Sequence, residues 1–91
     1  MIRAVRSFRI RNALGMHARA ATKLVQLVGT YPCEVELSNG EHRANAKSIM
    51  GILLLCSGQG SVLHAEAVGA RAEECLEAIG TLIDGRFGES E

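Results

Sequence analysis

The sequence has no tryptophan, one tyrosine, two phenylalanines and a single proline among its 91 residues. So few aromatics argue against a single-stranded RNA-binding module. Such a module stacks bases on aromatic side chains of a sheet face, and Phe8, Tyr31 and Phe87 all lie outside the middle strands. Long apolar runs are also missing, and nothing approaches the roughly 20 residues that a membrane span needs. The N-terminus goes straight into a mixed apolar and basic segment with no signal-peptide core, which implies a cytoplasmic protein. Cysteine is scarce and odd in number. Cys33, Cys56 and Cys75 sit far apart in apolar contexts and are expected to be buried thiols, not a disulfide framework. Pairing them with His17, His42 and His64 yields no short-range ligand spacing, so no metal and no cofactor is called for. A phosphatase would need a base or a metal cluster, and neither is visible.

Net charge is also absent overall, but it is unevenly spread. Residues 1–47 hold eight Arg and Lys against three Glu, a net of +5, while residues 48–91 carry a net of −5. A basic half suits acidic partner surfaces, through steering more than tight binding.

What is present centres on Leu14-Gly15-Met16-His17-Ala18-Arg19-Ala20-Ala21-Thr22. Ala21, Leu24, Val25 and Val28 form one apolar stripe at helical spacing, and Gly29 follows as a stop. The helix therefore begins at or just after His17. Its first free N–H groups, on Ala18, Arg19 and Ala20, point toward the histidine and, with the Arg19 side chain, can hold a phosphate-sized anion. By spacing alone, His17 is an ordinary cap or a solvent-facing residue.

Along the rest of the chain, Ile2 to Ile10 is expected to be a first strand whose alternation Val5 and Arg6 break. Cys33, Val35 and Leu37 alternate with Glu34 and Glu36 as a half-buried strand. Asn39-Gly40 is a type I′ hairpin signal leading through Glu41 to Asn45. Ser48 opens a short helix, stopped at Ser57-Gly58. Ser61 to Val68 alternates again, with Leu63, Ala65 and Ala67 on one face. A last helix over Arg71 to Asp84 carries the stripe Ala72, Cys75, Leu76, Ile79 and Ile83, with Gly85 as its stop. Gly80 inside it costs about 1 kcal/mol against alanine, which implies close packing. The order βαββαβα fits an α+β fold, one antiparallel sheet with its helices on one face, and also fits ferredoxin-like folds.

Two blocks carry a resemblance. Leu14 to Thr22 closely resembles the active-site stretch of the histidine-containing phosphocarrier (HPr) family, and Ala46-Lys47-Ser48-Ile49-Met50-Gly51 is similar to that family's regulatory-serine region. The likeness runs from about Phe8 to Ile83. It implies that residues 1–91 form a single domain, an open-faced β-sandwich of four strands with three helices on one face. It further implies that His17 takes a phosphoryl group on Nδ1 from phospho-Enzyme I and passes it to EIIA components of a phosphotransferase system. Arg19 would contact the phosphate. Ala20 stands where the family usually has proline, which removes a preset φ and adds one N–H donor. Ser48 is a helix cap by its position; in low-GC Gram-positive relatives the matching serine is phosphorylated by an ATP-dependent kinase.

The short helix is apolar nearly all round. Ile52 and Leu55 supply a core side, so Ile49, Met50 and Leu53 are expected to be exposed. By resemblance they form the docking patch for Enzyme I and EIIA, with Lys23 and Lys47 on the same partner surface. The main alternative is a regulatory protein of the family's nitrogen-related branch, which binds partners according to phosphorylation state. No contact with nucleic acid or membrane is expected.

Overall fold

The structure is a computed structural model that describes residues 2–55 and 57–91. The expectation that Cys56 is buried lies outside the described residues, while Cys33 and Cys75 are buried free thiols.

The elements follow one another as β1 (Arg3–Arg9), α1 (Ala18–Val28), β2 (Glu34–Ser38), β3 (Arg43–Asn45), α2 (Ile49–Leu54), β4 (Val62–Val68) and α3 (Ala72–Asp84). A short 3-10 turn, Arg86–Gly88, comes after α3 and was not foreseen from the sequence. The four strands form one sheet in the order β1-β4-β2-β3, with every neighbouring pair antiparallel. β4 is therefore central, pairing Phe8 with Leu63 on one side and Leu37 with Ala65 on the other.

Alternation decides which face each strand buries. Val35 and Leu37 of β2 and Leu63, Ala65 and Ala67 of β4 point into the core, while Glu34, Glu36 and His64 are exposed. Leu24 and Val28 of α1, Ile52 of α2, and Ile79 and Ile83 of α3 pack onto the apolar face. Burying a side chain of that size contributes about 1.5–3 kcal/mol. Val25 is only half-buried, and Ala20 takes a fully buried place beside Ala21.

β1 explains its own broken pattern. Ala4, Arg6 and Phe8 share the inner face, and Val5 is exposed. The Arg6 guanidinium lies over the Phe8 ring at 5.6 Å from its centroid. Both side chains reach Gly80 of α3, where an added Cβ would meet Phe8 Cε1 at 3.2 Å and Arg6 at 3.4 Å. Gly80 thus lets α3 close down on β1.

The β2–β3 hairpin departs from expectation. A type I′ turn needs positive φ at both central residues, and of Asn39 and Gly40 only Gly40 has it. The loop spans 39–42, because Ser38 pairs with Arg43. The Asn39 side-chain oxygen accepts from the amides of Glu41 (2.9 Å) and His42 (2.8 Å), so the asparagine shapes the loop with its side chain.

Candidate functional site

The loop from Asn12 to Met16 is clamped before it reaches the histidine. Gly15 has φ +67°, and a Cβ there would fall 2.6 Å from the Ser57 carbonyl oxygen, so only glycine fits. The Met16 amide donates to that same carbonyl at 2.8 Å, and the Met16 side chain is buried. Asn12 is fully buried. Its side-chain amide donates to the Gly15 carbonyl at 2.8 Å, bracing the loop from inside.

His17 is the N-cap of α1, with extended backbone (φ −90°, ψ 178°). Its Nδ1 accepts from the Arg19 amide at 3.3 Å, a long bond. The first intrahelical bond runs from the Ala21 amide to the His17 carbonyl at 2.9 Å. The amides of Ala18, Arg19 and Ala20 therefore precede the helical ladder and face the cap. The Ala20 side chain is wholly buried, so only its backbone can serve an anion. The Arg19 side chain is exposed and makes no ion pair among the described residues. A phosphoryl group on Nδ1 would bring oxygens to these amides in place of the weak bond to the ring.

Nε2 faces the other way. It lies 2.5 Å from Oε2 of Glu89, in the segment that follows α3. Glu89 Oε1 accepts from the Asn12 side-chain amide at 3.0 Å. The hydrogen bonds with His17, first, and Asn12, second, hold the Glu89 carboxyl below the usual carboxylate range. The histidine and glutamate side chains are 29% and 18% exposed, so the ring keeps one open side. The segment is tied down by Phe87, which is buried, and by the Lys23 ammonium, which donates to the Phe87 carbonyl at 2.5 Å.

Lys23, half-buried, thus also serves the closing segment. Lys47 is exposed and pairs loosely with Glu34 at 3.7 Å. Ser48 is the N-cap of α2, and its hydroxyl accepts from the Gly51 amide at 3.1 Å. Met50 is 68% exposed and Ile49 37%, whereas Leu53 is half-buried against the core, contrary to expectation. Leu54 is the wet one, at 69%: it follows Met50 by four residues and shares its face, while Leu53 turns toward the Ile52 side. Leu14, equally exposed, precedes the clamp onto Ser57 just beyond α2.

Sequence reasoning missed Asn12, Glu89, Leu14 and Leu54. Glu89 had no signal to find, since it sits in a polar stretch without periodicity. A concavity of about 670 Å³ lies on the open sheet face around Glu36, Ser38 and His64, and His17 does not line it. A side chain that carries a group covalently needs an open face and fixed orientation, and no pocket. Among the described residues no cluster of metal-ligating side chains occurs, and no helix is long and apolar enough to cross a membrane.

Comparison with known proteins gives a consistent picture. A family profile described as the PTS HPr component phosphorylation site matches residues 4–84. Phosphocarrier protein HPr of Cupriavidus necator is 44% identical over 80 residues, covering 88% of this chain and 90% of that protein. Phosphocarrier protein NPr of Shewanella violacea is 39% identical over 90 residues, covering 99% of both. The crystal structure of an HPr from Thermoanaerobacter tengcongensis superposes with a TM-score of 0.91 at 35% identity, over 97% of this chain and 99% of that one.

Proposed function

This chain belongs to the HPr family of the phosphotransferase system, whose members are phosphocarriers and not enzymes, and from that premise we propose that His17 is its phosphoryl-carrying residue. Nδ1 takes the group from phospho-Enzyme I and passes it to an EIIA-type component. The observation that carries this reading is the placement of His17 as N-cap of α1, its Nδ1 turned toward the free amides and Arg19 beside it. A P–N bond to imidazole is a reactive store, so the protein need only orient the ring and leave the phosphate open to a partner. The amides of Ala18, Arg19 and Ala20 and the Arg19 guanidinium hold the phosphate oxygens. Residues 1–91 act as one domain in this role. Ile49, Met50 and Leu53, joined by Leu54 and Leu14, border the site and receive Enzyme I and EIIA.

The test is incubation with phosphoenolpyruvate and Enzyme I, followed by intact-mass measurement. One phosphoryl group should be gained, lost in acid, and absent from His17→Ala. An adduct that survives acid, or persists in that variant, overturns the assignment.

The likeness to the Shewanella violacea NPr over nearly the whole of both chains favours a second reading, a regulatory role in the nitrogen-related branch. Phosphotransfer rates measured with each Enzyme I paralogue and each EIIA partner separate the two. Ser48, exposed at the start of α2, is the place for a kinase to add a dianion, which the helix N-terminus would accept. Treatment with an HPr serine kinase and ATP, with Ser48→Ala as control, tests that modification.

A further inference from the structure

Glu89 lies beyond residues 4–84, which the family profile matches, yet its carboxylate is the partner of the phosphoryl-accepting ring. Its position is built and not incidental. Arg86, Phe87 and Gly88 have φ of 57°, 55° and 82°, a left-handed run that two non-glycine residues adopt only under constraint. The constraint is visible. Phe87 is buried at 1% exposure, Lys23 grips its carbonyl, and the Ala13 amide donates to the main-chain oxygen of Glu91 at 2.7 Å. Between these anchors, Asn12 fixes one carboxylate oxygen and His17 Nε2 meets the other. A surface glutamate that merely strays near a histidine has none of this support.

We propose that Glu89 is a positioning residue for phosphoryl transfer, keeping the ring proton on Nε2 so that the lone pair stays on Nδ1. The inference rests on the phosphocarrier reading of His17. A carboxylate can only accept, so the nitrogen facing it must donate. Nδ1 is then the acceptor of the Arg19 amide, as the geometry has it.

The same carboxylate matters once the reaction starts. The Nδ1 lone pair attacks phosphorus, the P–N bond of the donor phosphohistidine breaks, and its electron pair returns to the donor ring. His17 gains the phosphoryl group while Nε2 keeps its proton, so its ring becomes cationic opposite the Glu89 carboxylate. In the onward step the Nδ1–P bond breaks, and the ring departs neutral because that proton is already in place. Glu89 thus orients one nitrogen and offsets charge through the other, as the buried aspartate does in hydrolytic triads.

The experiment compares wild type, Glu89→Ala and Glu89→Gln by nitrogen-15 NMR of the imidazole and by kinetics of phosphoryl acceptance from Enzyme I. With the ring neutral, the wild type should show a proton on Nε2 protected from exchange with water. Glu89→Ala should lose that protection, and its kcat should fall roughly threefold to tenfold with KM for Enzyme I unchanged. Glu89→Gln, which still accepts a hydrogen bond but carries no charge, should keep the proton signal and recover part of the rate. A wild-type ring protonated on Nδ1, an unchanged kcat in Glu89→Ala, or a loss carried wholly by KM would each overturn the role of Glu89. A wild-type chain that takes no phosphoryl group would instead overturn the phosphocarrier reading itself, and the NMR result would still decide whether the bond holds the proton.

Discussion

Arg6 lies with its guanidinium over the ring of Phe8, both side chains on the inner face of β1 and both against Gly80. A basic residue thereby flanks the edge of the apolar layer, its guanidinium over the ring and its side chain still exposed. Gly80→Val should destabilise the domain by about 1–3 kcal/mol, because the Phe8 ring is buried and cannot retreat. Chemical denaturation would show the loss, and the rate of phosphoryl acceptance in the folded protein should be unaltered.

Arg19→Ala should slow transfer and leave the fold intact. The side chain is exposed, so its removal opens no cavity. Losing one charge-assisted hydrogen bond should cost about 1–3 kcal/mol in the transfer step. Stopped-flow rates and a thermal melt decide it: an unchanged rate, or a large drop in midpoint, contradicts the role.

Met50→Glu should weaken association with Enzyme I while changing stability by less than about 0.5 kcal/mol, since the side chain already faces water. Leu54→Glu should behave alike. Leu53→Glu should differ, because its side chain packs on the core: it should lower the thermal midpoint clearly. Titration calorimetry and melting of the three variants separate a wet docking face from a structural one.

Acid should strip away the contribution of Glu89. Its carboxyl is held below its ordinary 4.5 by the bonds with His17 and Asn12, with Lys23 also nearby. A depressed pKa means stability that is present above the ordinary value and lost as pH falls from there through the folded value. The difference in thermal midpoint between wild type and Glu89→Gln should therefore be constant above about pH 5 and shrink below it. A difference that persists in strong acid would show that the carboxylate charge is irrelevant.

The sequence made the elements legible wherever one face is buried and the other wet. The stripe of α3 coincides with its buried residues, and β2 and β4 alternate as anticipated. His17 was legible as a helix cap by its spacing, and as a candidate site only through the resemblance carried by Leu14 to Thr22. Legibility failed where a side chain is fixed by a remote segment. Arg6, exposed as it is, can lie against α3 because that helix has a glycine opposite it, 74 residues later. Leu53 and Leu54 cannot be told apart in a two-turn helix until the packing partner is known. The partnership of Glu89 with His17 spans 72 residues, and no local pattern encodes it.

The central place of β4 sets the order in which the molecule can be completed. β1 and β2 do not touch as neighbours; each pairs with a strand made later. A ribosome that has delivered the histidine loop and the first helix has therefore produced no two adjacent strands of the inner sheet. The cradle follows the same schedule, since Gly15 awaits Ser57 and the ring awaits Glu89, 72 residues further along the chain. Until those later segments are made, a nascent chain holds the imidazole without the contacts that orient it in the fold.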